Sequence, residues 1–139
     1  MSNTKHGSGQ CLCGKVKVRV NNINNKVGAC HCSTCRKWAG GPFMTIDCGS
    51  DVSFGGDEYI SVYNSSEWAE RGFCKNCGSH LFYRLKANNL YIMPAGIFDN
   101  VENLIFDHQV FIDEKPGYYG FSNETYDMTG VEVFAKYSS

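Results

Sequence analysis

Seven of the eight cysteines in this 139-residue chain fall in three tight groups. The groups are Cys11-Leu12-Cys13-Gly14, Cys30-His31-Cys32-Ser33-Thr34-Cys35 and Cys74-Lys75-Asn76-Cys77-Gly78. Two thiolates two or three positions apart can grip one zinc ion from a tight turn, and zinc is satisfied by about four ligands in a tetrahedron. The first and third groups each offer two thiolates, and each is followed by a glycine, which suits a chain turning sharply around a metal. They predict one closed four-thiolate site made of Cys11, Cys13, Cys74 and Cys77. Any fold of this chain must then bring two distant segments together. A structural zinc contributes roughly 10–16 kcal/mol of apparent binding free energy, against a net domain stability of about 5–15 kcal/mol. Buried or redox-active cysteines are the competing explanation, and the paired spacing favours metal.

The middle group differs. Cys30, Cys32 and Cys35 supply three thiolates from one short stretch. Three protein ligands leave one coordination position for water or substrate, as in catalytic zinc sites, whereas a fourth side chain would make the site structural. The candidates for that fourth ligand are Cys48, His31, His80 and His108. His31 lies between two ligands, and its side chain is expected to point away from the metal. From the residues alone, an open and a closed site are equally supported.

Composition bounds the partners. The formal charge is −1, with thirteen basic and fourteen acidic residues dispersed along the chain. Seven thiolates and two zinc ions would take the charge to about −4. No basic block exists to meet nucleic acid, so no nucleic-acid partner is expected. The first ten residues contain no apolar signal-peptide core, and no apolar run approaches the ~20 residues a spanning helix needs. The expectation is a cytoplasmic protein with no membrane association, where clustered cysteines bind metal more often than they form disulfides.

Lys15-Val16-Lys17-Val18-Arg19-Val20 alternates three cations with three valines, the pattern of a half-buried strand. The turn-rich stretch 21–26 and the return Val27–Cys30 predict a hairpin. Ser33 to Ala39 reads as a short helix ended by Gly40-Gly41. Further strands are predicted over Phe43–Asp47, Asp51–Phe54, Glu58–Tyr63, Trp68–Phe73, Leu81–Leu85, Leu90–Ala95, Val110–Ile112 and Val131–Ala135. Residues 113–130 read as a long loop and residues 1–9 as a flexible tail, in which His6 has no role. The expected organisation is that tail followed by a single mainly β domain over 10–139.

These motifs resemble the glutathione-dependent formaldehyde-activating (GFA) family, also called the CENP-V/GFA domain. The resemblance rests on Cys11–Gly14, Cys30–Arg36 and Gly72–Gly78 in that order, with Ala95–Asp99 and His108–Tyr118, including Asp113-Glu114-Lys115-Pro116, in the C-terminal part. It covers about residues 9–120. It implies an Mss4-like fold of small antiparallel β-sheets around zinc with at most short helices, and two zinc ions with different jobs. Cys11, Cys13, Cys74 and Cys77 match the structural ligands, and Cys30, Cys32 and Cys35 the catalytic ones. Tyr118 departs from the pattern, since many members carry Trp after the Lys-Pro. The family's reaction joins glutathione and formaldehyde into S-hydroxymethylglutathione.

The resemblance therefore implies a carbon–sulfur lyase-type enzyme acting on a small thiol such as glutathione and a small aldehyde. Glutathione carries two carboxylates, so local cations must receive it. Arg36 is the first choice as a carboxylate fork, weighed against a solvated surface cation; Lys37, Arg71, Lys75 and Arg84 are the other nearby cations. Trp38 either walls the pocket or packs in the core, Cys48 reads as a small buried hydrophobe, and His80 and His108 read as structural. A non-enzymatic zinc module with two structural zincs and a protein or thiol partner is the main alternative. A methionine sulfoxide reductase is disfavoured, because the first pair is CxC and Cys48 lacks a catalytic context.

Overall fold

Residues 5–137 are described by the structure, a computed structural model. In chain order the strands and helices are β1 His6–Gln10, β2 Lys17–Asn21, β3 Lys26–Cys30, α1 Ser33–Ala39, β4 Phe43–Asp47, β5 Val52–Gly55, β6 Ile60–Tyr63, β7 Ala69–Cys74, β8 His80–Leu85, β9 Leu90–Pro94, β10 Ile105–Val110, β11 Tyr126–Met128 and α2 Gly130–Tyr137. The protein is mainly β. The chain divides into two compact units, one of residues 1–25 with 46–103 and one of residues 26–45 with 104–139.

In the first unit β1, β2 and β5 form a three-stranded sheet in the order β1-β2-β5, and both of its pairings are antiparallel. The valine alternation sets the faces: Val16, Val18 and Val20 are at most 2% exposed, while Lys15, Lys17 and Arg19 face water. Burying each valine is worth about 1.5–3 kcal/mol. A second antiparallel ladder runs β9-β8-β7-β6. Phe54, Phe82 and Tyr91 form an aromatic cluster with ring centroids 5.2–5.7 Å apart, and Ile46, Leu81 and Met93 are fully buried.

In the second unit β10 is flanked by β3 and β11, both parallel to it, and β3 pairs antiparallel with β4. The sheet is therefore mixed rather than wholly antiparallel. The ladder continues one residue beyond β3, where His31 N–H donates to the Val110 carbonyl at 3.1 Å. α1 follows at once. Its N-cap is Cys32, whose sulfur accepts from Cys35 N–H, and Gly40 closes it in the left-handed region with its N–H on the Arg36 carbonyl.

Five expectations are corrected. The 15–20 and 27–30 strands form no hairpin: β2 pairs with β1 and β5, whereas β3 pairs with β10 and β4. Residues 6–9, read as tail, belong to β1, in register with β2 from His6↔Asn21 to Gln10↔Lys17; residues 1–4 lie outside the described residues. The strand expected over Val110–Ile112 instead ends at Val110, and Phe111 turns the chain at φ 55° into a 3-10 turn over Ile112–Glu114. The strand expected over Val131–Ala135 is the helix α2. A capping box starts it: Glu132 N–H donates to Thr129 Oγ1 at 3.3 Å and Thr129 N–H donates to Glu132 Oε1 at 2.9 Å. Residues 113–130 also contain the short strand β11.

Candidate metal centres

The first cysteine group sits on two matching knuckles in the first unit. In one, Gly14 N–H donates to the Cys11 carbonyl at 3.0 Å; in the other, Gly78 N–H donates to the Cys74 carbonyl at 2.7 Å. Gly14 and Gly78 adopt φ of 79° and 81°, a region that β-carbon-bearing residues rarely enter. Nothing lies within 4 Å of where a Gly78 β-carbon would be, so backbone conformation and not space demands the glycine there.

These turns bring Cys11, Cys13, Cys74 and Cys77 together with every sulfur within 4.8 Å of the others. Cys11 Sγ to Cys13 Sγ is 3.6 Å and Cys13 Sγ to Cys74 Sγ is 3.8 Å. A regular tetrahedron with Zn–S near 2.3 Å has edges of about 3.8 Å, whereas a disulfide would need about 2.05 Å. The cluster thus fits a four-thiolate metal centre, and none of the described cysteines is disulfide-bonded.

Neighbouring groups suit thiolate ligands. Val16 N–H donates to Cys11 Sγ at 3.3 Å. Ser79 links the knuckles: its hydroxyl lies 3.2 Å from Cys77 Sγ and accepts Leu12 N–H at 3.0 Å. That Ser79 contact is the main reason the Cys77 thiol is pulled down to about 5. A contact with the Asn76 side chain likewise lowers Cys13, while burial raises Cys74. Cys13 and Cys77 are thus biased toward the thiolate, and Cys74 toward the thiol until a cation arrives. Ser79 was not singled out in the sequence, because a serine after a glycine carries no metal signature.

The second group lies in the second unit. Cys30 ends β3, Cys32 caps α1 and Cys35 lies in its first turn. Their sulfurs also lie within 4.8 Å of one another, with Cys30 Sγ 3.5 Å from Cys32 Sγ. Hydrogen bonding among the three thiols, first with Cys32 and then with Cys35, together with burial, raises the Cys30 thiol far above its usual range. The Cys30 thiol so placed gives up its proton only when a cation arrives. Among the described residues no fourth cysteine, histidine or carboxylate joins this group.

The four residues considered as a fourth ligand are accounted for elsewhere. Cys48 and His80 lie in the first unit, and Cys48 Sγ donates to the Ile46 carbonyl with its thiol pushed up to about 12 by burial. His108 Nδ1 is 2.6 Å from Asp107, and its ring lies over Gly28. His31 is fully buried, with Nδ1 at 2.7 Å from the Tyr119 hydroxyl and Nε2 at 2.7 Å from Gln109 Oε1. A carbonyl oxygen only accepts, so Nε2 carries a proton. Gln109 Nε2 in turn donates to Thr125 Oγ1, and Thr125 donates to Asp127. Burial, together with the Lys115 and Arg36 charges, holds His31 below its usual pKa.

The cations divide by environment. Arg36 Nε donates to the His31 carbonyl at 2.8 Å beside the three-sulfur group. Arg71 is buried and stands 4.8 Å from the Tyr83 ring centroid, and Arg84 pairs with Glu70. Lys37 and Lys75 are exposed. Trp38 packs edge-on against the buried Phe43 at 5.3 Å.

Comparison with known proteins agrees with this reading. The model of the family described as glutathione-dependent formaldehyde-activating enzyme matches residues 6–114. The chain belongs to the GFA family. A Schizosaccharomyces pombe relative, named as an uncharacterized lyase, is 41% identical over 126 residues, covering 90% of this chain and 92% of its own length. A Halomonas elongata relative, provisionally named for the GFA activity, is 35% identical over 83 residues and covers 53% of each chain. The crystal structure of a Rhodobacter sphaeroides protein superposes with a TM-score of 0.58 at 26% identity, covering 68% of this chain and 90% of that one. Each GFA-type cysteine group therefore stands in a protein of the matching family with sulfurs spaced for a metal.

Proposed function

We propose that the protein is a zinc-dependent carbon–sulfur lyase-type enzyme that joins a small thiol, glutathione or a close relative, to a small aldehyde. One observation carries this reading: one cysteine group closes with four sulfurs, while the other offers three with no fourth protein ligand among the described residues. Cys11, Cys13, Cys74 and Cys77 would hold a structural zinc, and Cys30, Cys32 and Cys35 a catalytic one with a position left for the thiol. A three-thiolate zinc supplies acidity to a fourth ligand, so that a thiol binds there as thiolate. No described helix is long and apolar enough to cross a membrane, which suits the cytoplasmic setting we propose, as does the set of unbridged cysteines.

In the reaction the thiol sulfur forms a bond to the aldehyde carbon, the C=O π bond breaks, and the proton lost by sulfur ends on the oxygen. A free thiol with pKa near 8.5 is about 3% ionised at pH 7, so complete ionisation gains at most ~30-fold, or about 2 kcal/mol. Part of that is lost because nucleophilicity falls with pKa. Orientation must supply more. Arg36, anchored on the His31 carbonyl, would receive a carboxylate of the thiol substrate. The hydrogen-bonded chain from Asp127 to Tyr119 fixes His31, and with it the backbone between Cys30 and Cys32.

Metal analysis and calorimetry with glutathione test this, using the unaltered protein and Cys32→Ser. The reading expects two zinc ions per chain falling to one, with loss of glutathione binding. Unchanged glutathione affinity in Cys32→Ser would refute the catalytic role of the three-sulfur site.

A further inference from the structure

The segment after β10 carries a lysine that the mechanism above leaves unused. Lys115 follows the 3-10 turn, and its side chain folds back over its own loop. Nζ donates to the Pro116 carbonyl at 3.0 Å and to the Tyr119 carbonyl, and lies 5.2 Å from the Tyr119 ring centroid. Those contacts are neutral and use two of the three ammonium protons. The same Tyr119 bonds His31, whose neighbours are Cys30 and Cys32.

Among the described residues no acid of this unit forms an ion pair with that ammonium. Asp113 accepts Gly130 N–H and Glu114 accepts Ser33 N–H, so both carboxylates next to Lys115 in sequence serve backbone amides. Asp107 is on His108, Asp127 on Thr125 and Glu132 on Thr129, and Glu124 is exposed. Among the described residues neither Lys115 nor Arg36 pairs with a carboxylate, and the charges of both reach the buried His31, opposed there by Asp127 alone among the carboxylates. A half-buried ammonium held by carbonyls with no counter-ion costs desolvation energy that an incoming anion would recover. Both cations thus act on the residue between Cys30 and Cys32, Arg36 through the His31 carbonyl and Lys115 through the loop of Tyr119. Glutathione carries its sulfur on the middle residue, with one carboxylate on each side.

Resting on the three-sulfur reading, we propose that Lys115 is a second carboxylate-binding residue beside Arg36, so that the site selects thiols flanked by carboxylates on both sides over neutral thiols. Lys115 is a specificity determinant here, and its loop contacts pre-set the ammonium so that little side-chain freedom is lost on binding.

The test is calorimetry on the zinc-loaded protein with three probes: glutathione, its diethyl ester and 2-mercaptoethanol. The unaltered protein is expected to bind the diester at least about tenfold more weakly than glutathione, since a hydrogen bond to a charged group is lost at each end. In Lys115→Met, which keeps the aliphatic stem, the ratio of glutathione to mercaptoethanol affinity should fall about tenfold or more. Lys115→Arg should restore most of it, and added salt should weaken glutathione but not mercaptoethanol. An unchanged ratio in Lys115→Met, or a diester that binds as well as glutathione, overturns the proposal while leaving the thiol reading intact. Failure of the unaltered protein to bind any of the three overturns both. Should Lys115→Met not fold, Lys115→Gln with the same three probes decides, an unchanged glutathione-to-mercaptoethanol ratio again overturning the proposal.

Discussion

Consider replacing one ligand in each cysteine group, Cys74→Ser and Cys32→Ser. In the first group 61 positions separate Cys13 from Cys74, so a metal there closes a long loop. Treated as a cross-link, that closure removes about 4 kcal/mol of unfolded-state entropy, against about 2 kcal/mol for the short stretch holding Cys30, Cys32 and Cys35. The sulfur separations of 3.6 and 3.8 Å lie within 0.2 Å of an ideal zinc tetrahedron, so little of the metal's binding energy is spent on rearrangement. Shared over four ligands, a structural zinc is worth about 2.5–4 kcal/mol per thiolate. Cys74 is also fully buried, so a serine hydroxyl there loses its metal and gains no solvent. At about 3–5 °C per kcal/mol for a chain of this size, Cys74→Ser should lower the melting temperature by about 8–20 °C. Cys32→Ser keeps an N-cap oxygen for α1 and should cost less than half of that. Circular dichroism melts with zinc present, read beside zinc content per chain, measure both. Equal shifts for the two variants would refute the division into a scaffold site and a working site. A Cys74→Ser protein that melts like the unaltered one would refute the metal cross-link itself.

Three further outcomes follow from particular contacts. Gly9→Ala places a β-carbon 1.8 Å from the Ile97 carbonyl oxygen, a backbone atom that cannot swing away, so it should cost about 1–3 kcal/mol in denaturant melts, while Gly41→Ala, with nothing within 4 Å, should cost far less. Burial, then the Arg71 charge, holds His80 below the ordinary histidine value of about 6.5; the unfolded chain therefore binds more protons below that pH, and the stability from neutral His80 is full above about 6.5 and lost as pH falls toward its folded value. His80→Gln should flatten that part of the pH–stability curve, and an unchanged slope would contradict it. Tyr119→Phe leaves His31 Nδ1 without its 2.7 Å partner and should destabilise by about 1–3 kcal/mol without changing zinc content; loss of zinc would instead make the tyrosine part of the metal site.

Features set by neighbours in sequence were legible before the structure. The helix Ser33–Ala39 and its glycine stop are local chemistry, as are the valine face of β2 and the Cys-x-Cys and Cys-x-x-Cys pairs. Features set by distant partners were not. β3 has a turn-rich segment before it, which invites a hairpin, yet its neighbour β10 comes from far along the chain. The two units are likewise assembled from interleaved segments, so no composition shift marks a boundary between them. α2 shows a different failure. Its Val131 and Val133 mimic strand alternation, but the Thr129–Glu132 capping box is a helix-start signal that outweighs two residues of periodicity.

The polar network beneath the three-sulfur group shows how far such a miss propagates. His31, Gln109, Tyr119, Thr125 and Asp127 form no motif, since each is an ordinary residue in its own surroundings. One topological fact connects them: β3 and β10 are parallel with Ala29 opposite Gln109 and Cys30 opposite Val110. In that register the residue following β3 meets the side chain of Gln109, and β11, parallel on the other side of β10, places Asp127 opposite Gln109. The cysteines thus declare a metal site from sequence, while the pairing of β3 with β10 determines what surrounds it. A variant that disturbs this pairing without touching a cysteine should therefore alter thiol binding while sparing the four-sulfur centre. Gln109→Leu is the sharpest case: it removes the partner of a fully buried histidine, at a cost of about 1–3 kcal/mol. Zinc content should stay at two with weakened glutathione binding, and equal loss of both ions would show that the network supports the whole fold instead of the site beside it.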